Sequence, residues 1–206
     1  MKIRNIFLTI TIILSISLLC GCSKNNDYSK NIDILDTKVD YFVIKDRKIY
    51  ITKDIKDFTL QFKGLGCKIK PKYEEEIDID TIKENNDIFV NSNGEKTIEC
   101  YTSDDYNNIE VFMYTYEKDQ KNPNEIYFMS IRSYGDPCDI VMDNKKLSIG
   151  KNPSSLDDVL NIMGNNYEIE KSISSDSKYY NYKIEGVEYS AFIDEDNLLK
   201  SLSLNF

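Results

Sequence analysis

The chain contains no histidine. Without that residue neither a Ser-His-Asp nor a Cys-His catalytic arrangement can be built. Zinc sites that use histidine ligands are excluded for the same reason. No other nucleophile or cofactor motif is present, so the sequence predicts a protein that is not an enzyme, has no cofactor and has no assigned metal ligand.

Cysteine is scarce and unevenly placed. Downstream of Cys22 only Cys67, Cys100 and Cys138 remain, an odd set that permits at most one internal disulfide. No CxxC pair occurs, which argues against a thioredoxin-like site or a zinc knuckle. Two interpretations stay open. The preferred interpretation is that the thiols are buried and act as small hydrophobic side chains. The alternative is that two of them form a disulfide and the third is free.

Positive charge is in deficit, and the net charge of the chain is −9. A balance of this sign argues against nucleic acid as a partner and against electrostatic attachment to an anionic membrane surface. Apolar runs long enough to span a bilayer are also lacking after Cys22. The richness in Ile, Lys, Asn and Tyr is typical of an AT-rich genome and indicates a low-GC Gram-positive bacterium.

The N-terminus has the order of a secretory signal. Lys2 and Arg4 precede an apolar run over residues 6–19, which ends at Leu19-Cys20-Gly21-Cys22. These four residues resemble the lipobox of bacterial lipoproteins. An uncleaved membrane helix is the alternative, because the uncharged run of residues 5–22 is only just long enough to cross a bilayer.

The lipobox resemblance implies cleavage before Cys22 and a diacylglyceryl group on that cysteine. Two acyl chains hold a protein on a membrane where one chain binds only reversibly. Residues 1–21 are therefore expected to be a lipoprotein signal peptide and residues 22–39 a flexible tether. The domain that follows is expected on the outer face of the cytoplasmic membrane, with the membrane contacted through the lipid on Cys22.

A pattern in residues 41–66 returns in residues 139–164. Each segment reads as strand, turn, strand and a helix that ends in glycine. An ungapped alignment supports an internal duplication, with repeats over residues 40–136 and 137–206. The matched pairs are Ile49 with Leu147, Ile51 with Ile149, Lys53 with Lys151, Phe58 with Leu156, Phe62 with Leu160 and Gly66 with Gly164.

Each repeat continues with three strand-like runs, at residues 97–102, 108–116 and 125–133 and at residues 179–184, 187–193 and 198–206. The predicted fold class is α+β: two tandem repeats, each a short strand pair, one helix and a three-stranded antiparallel sheet. In outline, and in Ile149-Gly150, Leu156 to Leu160 and Met163-Gly164, this unit resembles the tandem α+β modules of β-lactamase inhibitor proteins. Small outer-membrane assembly lipoproteins have a similar layout. The resemblance carries no inhibitory or assembly residue over.

One predicted strand is apolar on both faces. Phe112, Tyr114 and Tyr116 share one side, and Ile109, Val111 and Met113 share the other. Burial of both sides between sheet and helix is the preferred explanation. The alternative is an exposed aromatic face that binds a partner, and Phe112, Tyr114 and Tyr116 are then the candidate binding residues.

Acidic clusters are weaker candidates. Residues 74–80 offer carboxylates that Ca²⁺ would accept, but they lack the spacing of a known calcium loop, and a solvated charged face is preferred. Asp194, Glu195 and Asp196 lie where a hairpin turn is expected. The sequence thus predicts a non-enzymatic module that binds another protein or an envelope component. The alternatives are an envelope glycan hydrolase that uses two carboxylates and a structural or stress-related lipoprotein.

Overall fold

Strands with alternating apolar residues make up most of the structure. The computed structural model describes residues 32–71, 75–83, 97–102, 109–115, 124–173 and 175–206. The strands are β1 (Val39–Ile44), β2 (Arg47–Ile49), β3 (Cys67–Pro71), β4 (Ile77–Asp78), β5 (Thr97–Thr102), β6 (Ile109–Thr115), β7 (Ile126–Ser133), β8 (Cys138–Met142), β9 (Lys145–Ile149), β10 (Glu168–Lys171), β11 (Lys178–Ile184), β12 (Val187–Ile193) and β13 (Leu199–Asn205).

Two α-helices accompany the strands, α1 (Ile55–Leu60) and α2 (Leu156–Met163), with a 3₁₀ turn at Ile79–Thr81. Asp54 caps α1, and Ser155 and Asp158 form a capping box at the start of α2. The N–H of Gly164 donates to Leu160 O at 2.9 Å, and its φ of 91° ends α2 at the glycine that the sequence predicted.

The predicted α+β class is wrong. The structure is 54% strand and 12% helix, with two antiparallel sheets. The four-stranded small sheet has the order β2-β1-β8-β9, and the nine-stranded large sheet has the order β10-β11-β12-β13-β7-β6-β5-β3-β4. Both helices are short, so neither forms a layer that could cover a sheet of its own. The two predicted three-stranded sheets, β5-β6-β7 and β11-β12-β13, are instead parts of the one large sheet, which also contains β3, β4 and β10.

The two segments that the sequence matched do share an element order. Lys45 and Asp46 turn β1 into β2 with φ of 48° and 62°, and Asp143 and Asn144 turn β8 into β9 with the same two values. Positive φ at both positions is typical of tight hairpins that follow the twist of their strands. The strand order of the small sheet is also symmetrical about the pair β1–β8, and that of the large sheet follows the same pattern about β13–β7 except for the extra edge strand β4. Common origin of the halves stays a prediction.

The ungapped alignment fails in the helices. It paired Phe58 with Leu156, whereas Leu156 is the first residue of α2 as Ile55 is of α1. Between the matched residue Ile149 and the start of α2 lie six residues, 150–155. Between the matched residue Ile51 and the start of α1 lie only three, 52–54. The buried side chains Ile55 and Phe58 of α1 therefore match Leu156 and Val159 of α2.

The core lies between the two sheets and the helices. Side chains at alternate positions of most strands enter one cluster of buried residues that includes Phe42 and Ile140 of the small sheet, Phe58 of α1, and Met113 and Leu202 of the large sheet. All five are 0% exposed. The other face of the large sheet points away from this cluster, and we call it the outward face.

The three thiols of the described domain lie in the core. Cys67, Cys100 and Cys138 are buried and free, which agrees with the preferred interpretation and not with a disulfide among them. Burial raises the pKa of the Cys67 thiol to about 11, and it raises the pKa of Cys100 and Cys138 as well. Protonated, enclosed thiols of this kind are poor nucleophiles.

Candidate functional site

The outward face of the large sheet is built by the interleaved residues that do not enter the core. Cross-strand pairing fixes which of them are neighbours, since residues that face each other share a side of the sheet. On five adjacent strands the outward face carries Tyr179, Asn181 and Lys183 of β11, Glu188, Ser190 and Phe192 of β12, Ser201, Ser203 and Asn205 of β13, Phe128, Ser130 and Arg132 of β7, and Glu110, Phe112 and Tyr114 of β6.

Three rings form an aromatic patch on this face: Phe112, Tyr114 and Phe128. Tyr114 lies directly opposite Phe128, with ring centroids 5.4 Å apart and planes at 67°, an edge-to-face contact that aromatic pairs prefer. The guanidinium of Arg132 lies 4.6 Å from the ring centroid of Phe112. All three rings are half-buried, so part of each is open to solvent while its neighbours hold it in place.

A polar cleft adjoins the aromatic patch. Its volume is about 580 Å³, within the range of about 300–1,000 Å³ that small-molecule sites occupy. The cleft crosses strands β11, β12, β13 and β7 and ends at Phe128. The outward side chains along it are Glu168, Asn181, Lys183, Glu188, Ser190, Ser203, Asn205 and Phe128.

Hydrogen bonds order the floor of the polar cleft. Ser190 Oγ donates to Asn181 Oδ1 at 2.7 Å, and Ser203 Oγ donates to Ser130 Oγ at 2.9 Å. At the mouth Glu188 accepts from Asn205 Nδ2 at 3.3 Å and pairs with Lys183 Nζ at 3.5 Å. These contacts fix the orientation of the floor groups but use only part of their hydrogen-bonding capacity.

Residues 166–168 form the far wall of the cleft. Tyr167 packs on the core side, with its ring centroid 5.1 Å from that of Tyr180 and 5.7 Å from that of Tyr182. This packing holds the neighbouring Asn166 and Glu168 at the cleft. Burial raises the pKa of Tyr182 to about 12, so its hydroxyl stays protonated well above physiological pH.

A pair of carboxyl groups lies beyond the aromatic patch. Glu99 of β5 faces Phe112 and Tyr101 faces Glu110, so Glu99 and Glu110 are diagonal neighbours. Burial raises the pKa of Glu99, and the charge of Glu110 raises it further. Arg132 Nε donates to Glu110 Oε2, with Glu110 only 12% exposed. No sequence pattern distinguishes these two acids from the rest of the 35 in the chain.

The candidate binding residues fall partly on this site. Phe112 and Tyr114 lie on the outward face, half-buried rather than enclosed, so the preferred expectation of burial on both sides is not what the structure shows. Tyr116 and the lipidation residue Cys22 lie outside the described residues. The sequence missed Phe128, Asn181, Ser190, Ser203 and Asn205 as site residues, although each alternates with a core residue in a recognised strand.

The acidic segment is used structurally where it is described. Asp80 Oδ1 accepts from Gly64 N at 2.6 Å, and Glu76 pairs with Lys68 at 3.2 Å. Asp78 caps the 3₁₀ turn. Asp194 accepts from Leu198 N at 2.9 Å within its hairpin, as a turn residue does. Within the described ranges, no group of three or more potential ligand side chains could hold a metal ion.

The described residues contain no helix long and apolar enough to cross a membrane. The chain matches no protein-family model, no curated protein and no solved structure.

Proposed function

We propose that this chain is a lipoprotein anchored on the outer face of the cytoplasmic membrane, and that it binds a protein or envelope component without chemical conversion. The observation that supports binding is the half-exposed aromatic patch, whose rings are held by cross-strand neighbours on a rigid sheet. Aromatic residues with restricted motion are enriched at interaction hot spots. A fixed sheet also loses little conformational entropy when it binds.

Anchorage is proposed from the signal order and the lipobox-like residues before Cys22. Replacing Cys22 with alanine removes the thiol that would carry the diacylglyceryl group. The variant is expected to leave the membrane fraction or to retain its N-terminal segment, as judged by cell fractionation and intact mass. Normal processing together with membrane retention in Cys22→Ala would refute the anchorage.

Binding through the outward face is tested by site-specific photocrosslinking in intact cells. A photoreactive phenylalanine analogue is placed at Phe112 in the aromatic patch and, as a control, at Tyr41 on the solvent side of the small sheet. Both positions are half-buried aromatic residues of a strand. Position 112 is expected to give a discrete crosslinked species that position 41 does not give. Equal products from both positions would contradict a specific face.

A carboxylate-dependent glycan hydrolase is the second candidate function, and the Glu99–Glu110 pair favours it. Glu99 and Glu110 are diagonal neighbours on adjacent strands, and most glycosidases work with two carboxyl groups that lie close together. The pair nevertheless lies outside the polar cleft, and Glu110 is engaged by Arg132. Binding is therefore the better supported function.

A further inference from the structure

The polar cleft differs from the aromatic patch in the chemistry that it presents. The outward side chains on its floor are hydroxyl and amide groups, with the ring of Phe128 at the end. The other apolar and aromatic residues that line it, Tyr167, Tyr182, Tyr189 and Leu204, pack their side chains on the core side. Ser190 Oγ donates its hydrogen to Asn181 Oδ1, so both lone pairs of the hydroxyl oxygen remain able to accept hydrogen bonds. The Asn181 amide group meanwhile supplies two N–H donors. Acceptors and donors thus alternate along the floor, as a ligand with many hydroxyl groups requires.

The charges at the cleft argue against an anionic ligand. Lys183 is paired with Glu188 at 3.5 Å, and Glu168 adds a further negative charge on the far wall. A ligand with carboxylate or phosphate groups would meet net negative potential there. A neutral ligand avoids this repulsion, and its hydroxyl groups can donate to the carboxylates at the rim.

Peptide backbone fits the cleft poorly. Peptides that bind sheets add a strand at an open edge, where unpaired N–H and C=O groups form a ladder. Strands β11, β12, β13 and β7 each have a hydrogen-bonded neighbour on both sides. Recognition at the cleft must therefore rely on side chains, which suits a ligand that is itself covered with hydroxyl groups.

We propose that the polar cleft binds a short neutral oligosaccharide, with hydrogen bonds from Asn181, Ser190, Ser203 and Asn205 and with a sugar ring resting against Phe128. Phe128 is braced by Tyr114 at 5.4 Å, so its ring is a fixed platform for the apolar side of a sugar. This assignment rests on the proposed binding function and names the ligand class of the same face.

The test uses the purified full chain in detergent, with binding followed by calorimetry. The probes are two neutral oligosaccharides, chitotetraose and maltotetraose, and one anionic oligosaccharide, tetragalacturonate. Ser203→Phe fills the floor of the cleft. Ser201→Phe is the matched control, since Ser201 is a half-buried serine of the same strand and face that does not line the cleft. Asn181→Ala serves as a second variant if Ser203→Phe does not fold.

At least one neutral tetramer is expected to bind, and Ser203→Phe is expected to weaken its binding by about tenfold or more, while Ser201→Phe changes it by less than about twofold. Tetragalacturonate is expected to bind more weakly than the neutral probe. Equal weakening by both serine variants, or preference for tetragalacturonate, would overturn the inference. If no neutral tetramer binds while position 112 still gives its specific crosslink, the ligand class is wrong and the binding function stands. If both fail, both are wrong.

Discussion

Replacing Gly150 with alanine is expected to destabilise the protein by about 3 kcal/mol. Gly150 has a φ of 81°, and a Cβ at this position would clash with the carbonyl oxygen of Asp136 and come within 2.9 Å of Ser133 Cβ. A left-handed backbone costs a non-glycine residue about 1–2 kcal/mol, and overpacking adds about 1–3 kcal/mol. The corner of residues 134–137, which leads from β7 of the large sheet to β8 of the small sheet, would have to move.

The matched control is Gly66→Ala, directly before β3. Gly66 also has a positive φ, of 65°, but nothing lies within 4 Å of the added Cβ. Its expected cost is therefore only the backbone term, about 1–2 kcal/mol. Urea unfolding of both variants measures the difference. Equal losses in the two variants would mean that Gly150 is not packed against the corner between the sheets.

The strands that were predictable from sequence are those with a clean alternation of apolar residues. Residues 97–102, 187–193 and the tight turns at Lys45-Asp46 and Asp143-Asn144 are found as predicted. In both strands the inward side chains are buried and the outward ones are exposed or half-buried, so local pattern and tertiary environment agree. Gly164 likewise marked the end of α2 correctly, because the residue that ends a helix acts within its last turn.

The fold class was not predictable because the missing strands carry little hydrophobic signal. All residues of β10, Glu168–Lys171, are exposed, and the edge strand is held by backbone pairing with β11 alone. In β3 the inward residues Cys67 and Ile69 alternate with Lys68 and Lys70 over only five residues. The sequence also could not show that β13 pairs with β7, a long-range contact that joins the halves into one sheet.

The site was predictable only in part. Alternation identified Phe112 and Tyr114 as one face of a strand, but it could not tell whether that face was covered. The polar residues of the cleft come from β11, β12 and β13, and only the cross-strand register brings Asn181, Ser190 and Ser203 into one row. A single serine or asparagine on the outer side of a strand is common, so the sequence pattern of each strand did not indicate a binding site.

Truncation of two neighbouring residues of β6 is expected to lower the free energy of unfolding by clearly different amounts. Met113 is 0% exposed and belongs to the core, so Met113→Ala is expected to cost about 2–5 kcal/mol through lost burial and a cavity. Tyr114 is half-buried on the outward face, and its main contact is the edge-to-face pair with Phe128. Tyr114→Ala is expected to lose about 1 kcal/mol, since such aromatic pairs contribute about 0.5–1.5 kcal/mol.

For binding, the order of the two variants should be reversed: Tyr114→Ala should have the larger effect and Met113→Ala the smaller one. If the aromatic patch carries the interaction, truncation of a central ring is expected to cost about 2 kcal/mol of binding free energy or more. Capture of the species that crosslinks at position 112 should then fall by roughly thirtyfold in Tyr114→Ala. Met113→Ala should leave capture close to normal at temperatures where the variant is still folded, because its side chain does not reach the outward face.

The most direct test is to measure the melting temperature and the crosslinking yield of Tyr114→Ala and Met113→Ala side by side. A binding face opposite a buried core predicts that Tyr114→Ala keeps most of its stability and loses the crosslink, while Met113→Ala loses stability and keeps the crosslink. A fall in melting temperature as large for Tyr114→Ala as for Met113→Ala, or an undiminished crosslink in Tyr114→Ala, would contradict it.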